Sequence, residues 1–269
     1  MAKENTVNLH GQIQASPKVY IKDGVPLRGA ILLKTLRRPV GAGGVMGSKL
    51  YFDCPIILTR NPEMIKQMYE FKKGDMIDVK GALTTKEVDK SSLCTHCKGK
   101  NISKGNSVFI TPYYLCKRES ELSMDEGLRL LKERCEVSNT IAVIGTLCRD
   151  PEYYKDERNR DYAQYQLACN RKYRIKEDDP SVKTDYPWIK TFGSQALKDS
   201  EGLRTGSVIY INGALQTRDI TRKSVCSHCG EEYEWNESVL EIVPYSTEYL
   251  SGCIVPMKED EDGEIETEG

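Results

Sequence analysis

The chain has 269 residues, of which 39% are hydrophobic and 29% charged, with a net charge of −1. This composition describes a soluble globular chain of one or two domains. No apolar run approaches the roughly 18 residues of a membrane span, and an N-terminus carrying Lys3, Glu4, Asn8 and His10 does not read as a signal peptide, so a cytoplasmic protein without membrane contact is expected.

In chain order, an alternating strand (Val7, Leu9, Gly11, Ile13) comes first. It turns near Pro17 and is followed by strands over 30–36 and 50–59. Asn61 as N-cap with Pro62 in the first turn predicts a short helix that presents Ile65, Met68 and Phe71 on one side and stops at Gly74. Strands over 76–85 and 107–113 complete the unit. Ser123 and Glu126 form a capping box that opens a connector helix with Leu128, Leu131 and Cys135 on one stripe. Strands over 140–147, 163–171 and 185–192 come next. A helix near 195–200 and strands over 208–218 and 238–243 then repeat the first pattern.

The repetition is literal. Asn5-Thr6-Val7-x-Leu9-x-Gly11 returns as Asn139-Thr140-Ile141-x-Val143-x-Gly145, 134 positions on. Gly81-Ala82-Leu83 returns as Gly213-Ala214-Leu215, now 132 positions on, and that offset holds through two Cys-x-His-Cys motifs to Pro112-Tyr113 and Pro244-Tyr245. Two long copies, not a solenoid of many short ones, mean two domains of one fold. The order β-β-β-α-β-β predicts an all-β chain of two tandem OB-fold, five-stranded Greek-key barrels, each with one short helix, joined by the connector helix. A small sandwich satisfies the same period-2 signal. The expected boundaries are 1–120, a connector over 121–137, 138–253, and an acidic tail over 254–269.

Tyr186, Trp188, Lys190 and Phe192 alternate along one strand and therefore project from one face. Just upstream, Arg171, Lys172 and Arg174 surround Tyr173. Basic residues interleaved with aromatics suit single-stranded nucleic acid, whose unpaired bases stack on rings while cations meet phosphate. In the first copy Phe52, Cys54, Ile56 and Leu58 replace the aromatic file, and Pro39 stands where Tyr173 does. Arg37, Arg38 and Lys49 flank a glycine-rich loop there and remain candidates for phosphate contact, with Phe52 as the residual ring. No Gly-Lys-Ser/Thr follows those glycines, so they do not form a nucleotide-triphosphate loop.

Asn139-Thr140-Ile141, Asp150-Pro151, Leu167-Ala168-x-Asn170, Thr184-Asp185-Tyr186, Phe192-Gly193 and Gly206-Ser207-Val208 together resemble the bacterial single-stranded DNA-binding protein family across its OB domain. The resemblance implies stacking aromatics at Tyr173, Tyr186 and Phe192, and a protein that coats and protects single-stranded DNA in replication, recombination or DNA transfer. Ile220 and Val88 stand where the family usually has a further aromatic. Family members usually assemble four OB domains, which two copies per chain reach by forming a homodimer. The family's acidic tail docks replication or recombination proteins through an apolar tip. Here Glu259–Gly269 holds seven acids and no base, with Ile265 its one apolar side chain, and the rest of the chain carries +6. Such a tail also competes with a polyanion for a basic surface, or simply solubilises. An RNA-binding or mediator protein that uses one OB domain for protein contacts is the alternative.

Four of the ten cysteines form two C-x-x-C pairs, a spacing that points to metal or redox chemistry rather than a disulfide framework. Cys94, Cys97, Cys226 and Cys229 together supply the four thiolates of a structural zinc site, half from each copy. Separate sites completed by His96 with Cys116, or by His228 with Cys253, a site shared between chains, and metal-free thiols are the alternatives. Cys54, Cys135, Cys148 and Cys169 read as small buried hydrophobes. No nucleophile, base and orienter surround the three histidines, so no enzyme is expected.

Overall fold

A computed structural model describes residues 3–38, 51–157, 160–172 and 184–254. The first half holds strands β1 (Asn5–Ile13), β2 (Lys18–Lys22), β3 (Val25–Arg37), β4 (Tyr51–Asp53) and β5 (Ile56–Thr59), helix α1 (Pro62–Met68), then β6 (Met76–Leu93) and β7 (Lys100–Glu119). Helices α2 (Met124–Glu133) and α3 (Cys135–Ser138) lead to β8 (Asn139–Leu147), β9 (Glu152–Lys155), β10 (Asp161–Asn170), β11 (Thr184–Asp185) and β12 (Trp188–Phe192). Helix α4 (Ser194–Gly202), β13 (Val208–Val225) and β14 (Glu232–Ser251) follow. The chain is thus mostly β.

The pairings close two rings. β1 lies antiparallel to β3 and β6, β6 to β7, and β5 joins β3 antiparallel and β7 parallel. β8, β10, β12, β14 and β13 repeat that circuit, with the parallel step between β12 and β14. Inward positions of both rings, such as Leu33, Ile57, Val79 and Ile110 with Leu167, Ile189, Ile211 and Ile242, belong to one buried cluster. It is continuous because β1 also pairs with β8. Val7 faces Ile141, its own counterpart in the repeat, while Asn5 faces Val143 and Leu9 faces Asn139. Each residue meets its counterpart's neighbour reciprocally, as across a two-fold axis.

The repeated residues of the sequence have identifiable work. The Asn5 amide brackets Leu83, donating to its carbonyl and accepting from its N–H at 2.9 Å, and Asn139 brackets Leu215 likewise at 2.8 and 2.9 Å. Gly81 and Gly213 sit at register shifts where a Cβ would lie 2.5 Å from the Thr111 carbonyl and 2.4 Å from that of Val243. Only glycine lets the strands approach so closely there.

The Asn61 side chain accepts from the N–H groups of Glu63 and Met64, as its capping position predicts. Helix α1 ends at Met68, earlier than Gly74; Gly74, at φ 92°, instead turns the chain into β6. Helix α2 carries the predicted capping box, and its Leu131 packs with Leu36 and Met76 of the first ring.

The larger departure concerns strands four and five of each unit. They were expected to end near Thr85 and Arg218, but β6–β7 and β13–β14 run on as two-stranded arms to Leu93 and Val225. Along the β6 arm half-buried positions alternate with exposed ones, but the half-buried face carries Lys86, Lys90 and Ser92, so no apolar alternation marks it in the sequence. The Cys-x-His-Cys motifs are the turns at the arm tips.

Replacing Asn5 or Asn139 with Ala strands a buried N–H and a buried carbonyl. Each change is expected to lower the unfolding free energy by about 1–3 kcal/mol per unsatisfied group, measured by urea denaturation. The two effects should be similar, because the bonds are the same in both rings.

Candidate nucleic-acid interface and metal centre

β10 and β12 of the second ring build the face of interest. Ala163, Tyr165, Leu167 and Cys169 of β10 and Ile189 and Thr191 of β12 point into the core. Tyr162, Gln164 and Gln166 therefore emerge on the outer side, opposite Phe192, Lys190 and Trp188. Tyr186, just before β12, is exposed on the same side; its N–H donates to Thr85 Oγ1 of the first ring at 3.0 Å.

Rings and cations interleave on this face. Tyr154 stacks on Tyr162 at 5.2 Å between centroids. The Lys190 ammonium lies 4.4 Å from the Tyr162 ring centre and 5.7 Å from that of Phe192, and the Arg149 guanidinium lies 4.9 Å from Trp188. Arg218 bonds the buried Glu241 through two N–H groups at 3.0 and 3.1 Å, and Arg222 bonds the buried Glu237 at 2.9 Å. Partial burial, then the charge of Arg218, holds the Lys190 ammonium below its ordinary range, with Glu241 opposing. An extended polyanion finds stacking surfaces here with positive charge between them.

Tyr154, Tyr162, Arg149, Arg218 and Arg222 were not picked out from the sequence. Tyr162 had a legible signal, since it alternates with Ala163 and Tyr165 on an otherwise regular strand. Arg149 had none.

The predicted basic residues divide. Arg37 and Arg171, expected at phosphates, instead face inward onto acids. Arg171 forks onto the buried Asp185 at 2.6 and 2.9 Å, and Arg37 meets the buried Asp53 at 3.0 Å. Burial pushes the Asp53 carboxyl up, against the lowering pull of Arg37. Each acid also crosses to the other ring: Asp53 accepts from the Thr217 N–H and Asp185 from that of Thr85, both at 2.7 Å. Lys172 is exposed and pairs with Glu4 at 3.0 Å. Arg38 bonds Glu136 at 2.7 Å and covers the Tyr245 ring. Lys49, Tyr173, Arg174 and the acidic tail lie outside the described residues.

Strand pairing shifts the counterpart of the aromatic file by two residues. Ile57 pairs with Ile110 as Ile189 does with Ile242, an offset of 132, so Cys54, Ile56 and Leu58 replace Tyr186, Trp188 and Lys190. Phe52 corresponds to Thr184 and lies under the Lys34 ammonium at 4.4 Å. Of the cysteines read as buried, Cys169 is buried, Cys54 and Cys135 are partly so, and Cys148 is exposed.

At the arm tips, Cys94, Cys97, Cys226 and Cys229 bring their sulfurs within 4.8 Å of one another. Cys94 lies 3.8 Å from Cys229, and Cys97 lies 3.6 Å from Cys226. Four thiolates around one ion at about 2.3 Å would stand about 3.8 Å apart, whereas a disulfide requires about 2.05 Å. The donor set therefore fits a tetrahedral soft-metal site. N–H groups of Gly99, Asn101 and His228 point at the sulfurs of Cys97 and Cys226, each at 3.4 Å. Burial pushes the Cys226 thiol up, but bonds from Asn101 and from backbone N–H groups outweigh it and hold it below the ordinary thiol range, while against the pull of the Glu231 N–H, burial and bonds to Cys226, Cys97 and Cys94 raise Cys229.

The histidines are used otherwise. His96 Nε2 donates to the Glu232 carbonyl and His228 Nε2 to the Lys100 carbonyl, each at 3.0 Å, so each tip grips the other arm.

With this geometry in hand, residues 138–233 match the Single-strand binding protein family, a segment that contains the aromatic face, β13 and one cysteine pair. A single-stranded DNA-binding protein of Staphylococcus epidermidis is 27% identical over 95 residues, covering 35% of this chain and 70% of that protein. One of Fusobacterium nucleatum is 31% identical over 78 residues, covering 29% of this chain and about half (51%) of its own length. Among solved structures, a deletion mutant of the Thermus aquaticus single-stranded DNA binding protein superposes with a TM-score of 0.61 over 96% of this chain and 100% of that one, at 17% identity. The wild-type Thermus protein gives 0.59 over 93% and 95%, also at 17%. That likeness is one of fold.

Arg171→Ala leaves Asp185 buried without its charge partner and is expected to cost about 3–5 kcal/mol of stability by chemical denaturation. Lys172→Ala, one residue on but exposed, should stay within about 0.5 kcal/mol.

Proposed function

We propose that this chain is a tandem OB-fold protein that binds single-stranded DNA, coating it during replication, recombination or transfer, with its principal contact surface on the second ring. The observation that carries this reading is the outward ladder of Tyr154, Tyr162, Lys190, Phe192 and Trp188, which lies within the segment matching the single-strand binding family. Bases stacked on such rings each contribute about 1–3 kcal/mol, and duplex DNA, with its bases already stacked, cannot use them. Tyr162→Ala, Trp188→Ala and Phe192→Ala should each weaken oligo-dT binding by about 1–3 kcal/mol in a fluorescence or calorimetric titration. Phe52→Ala should do less. Equal affinity for duplex, or equal losses from both rings, would sink the reading, and tighter binding to the matching ribo-oligomer would favour the RNA alternative.

The two OB units are assigned to residues 1–120 and 138–253, with 121–137 as connector. We assign a structural zinc ion to Cys94, Cys97, Cys226 and Cys229, supported by sulfur spacings that match a tetrahedron and by N–H groups that stabilise thiolate. Bound there, zinc would tie the arms together, since each arm alone supplies only two ligands. Metal analysis of purified protein should find about one zinc per chain. Changing either cysteine pair to Ser should release the same ion and loosen the arms more than it lowers the intrinsic affinity of the second ring. Two ions per chain, one of them surviving loss of the other pair, would reject the shared site.

A further inference from the structure

Where the two arms leave the rings lies a cavity of about 420 Å³, here the axial cavity, lined by residues of both rings. Part of its lining is paired across the repeat: Ile56 with Trp188, Ser107 with Val239, and Val108 with Leu240, each pair 132 residues apart, whereas Leu32 and Phe109 of the first ring and Thr217 and Arg222 of the second line it without their counterparts. A second, smaller cavity of about 200 Å³ opens beside the aromatic face, along Gln164 and Arg218. The two share Trp188, Arg222, Val239 and Leu240 as lining, so together they form one trough leading from the aromatic face to where the arms leave the rings.

We propose that the axial cavity is a nucleobase-binding subsite into which the bound single strand inserts a base beyond Trp188. This rests on the single-stranded DNA reading and extends it to a place where both rings contribute. The occupant follows from the lining. One end of the trough is continuous with the stacking ladder, so a strand lying along Phe192, Lys190 and Trp188 is led to its mouth. Arg218 and Arg222 stand along the trough where phosphates would run, each bonded to an acid of its lining, Glu241 and Glu237. The interior is apolar at Ile56, Val108 and Leu240 and offers Ser107 and Thr217 hydroxyls to a base edge. Its volume falls within the roughly 300–1,000 Å³ of sites that enclose small planar ligands.

Phe109 makes the proposal separable from the broader reading. It lines the axial cavity from the first ring's arm but does not line the smaller cavity beside the aromatic face. Its counterpart in the second ring is Glu241, so the aromatic lining of the axial cavity is unsymmetrical.

The test is photocrosslinking of the unaltered full chain with oligo-dT carrying 5-iodouracil at single positions, followed by peptide mapping. An adduct on Phe109 is expected from at least one position, beside adducts on Trp188, Tyr162 or Phe192. Adducts confined to Tyr162, Trp188 and Phe192 overturn the subsite and leave the single-stranded DNA reading standing. Absence of adducts together with equal affinity for duplex means that the broader reading itself has failed. As a second measurement, Ser107→Trp fills the cavity from a partly exposed position. It should lower oligo-dT affinity at least about tenfold, equivalent to about 1.4 kcal/mol, with the circular dichroism spectrum unchanged. Unchanged affinity in that folded variant overturns the subsite, while Phe192→Ala on the aromatic face should still weaken binding.

Discussion

Val7 on Ile141 is the contact from which the rest of the structure is laid out. β1 and β8 pair antiparallel about a residue and its own counterpart, and the principal backbone contacts between the halves recur in pairs around that point. The carboxylates of Asp53 and Asp185 each hold a threonine N–H of the opposite ring, and the hydroxyls of Thr217 and Thr85 accept from the N–H groups of Cys54 and Tyr186. At the far end, His96 and His228 exchange bonds with opposite arms, and Cys94 meets Cys229 as Cys226 meets Cys97. Covalent linkage makes the arrangement intramolecular, so its formation does not depend on concentration.

That symmetry also explains the cysteine quartet. A C-x-x-C turn offers two ligands and cannot close a tetrahedron alone. Two such turns related by the axis offer four around a single point. The buried arginines belong to the same framework: Arg37 and Arg171 neutralise the acids that reach across the interface, and this is why basic residues so close to the aromatic face do not line it.

Function departs from the symmetry. The scaffold residues Asn5 and Asn139, Gly81 and Gly213, and Asp53 and Asp185 are the same in both halves, because backbone geometry and buried charge admit few substitutes. Surface positions are free to diverge, and they have. Ile56 and Leu58 stand where Trp188 and Lys190 form the ladder, and Tyr20 with Arg28 stands where Tyr154 stacks on Tyr162. One ring therefore presents the rings and cations suited to bases, while its partner contributes the common core and half of the axial cavity.

By itself the sequence determined the repeat, the short alternating strands, the capped helices and the side of β12 on which Trp188, Lys190 and Phe192 emerge, because period-2 burial and capping are local properties written along the chain. It also grouped the four cysteines as one candidate ligand set beside its alternatives, and the fold brings those four sulfurs together. Only the tertiary structure decided which charges are exposed. Arg171 and Lys172 are adjacent and equally basic, and their different fates depend on Asp185, fourteen residues away on another strand. The length of the arms was equally hidden, since the half-buried face of β6 beyond the ring is mostly polar and carries no hydrophobic period. Tyr154, Arg149 and Arg222 join the face only through cross-strand pairing and folding of distant segments. The axial cavity belongs to neither half, because it exists only where two copies of one fold turn the same side toward each other.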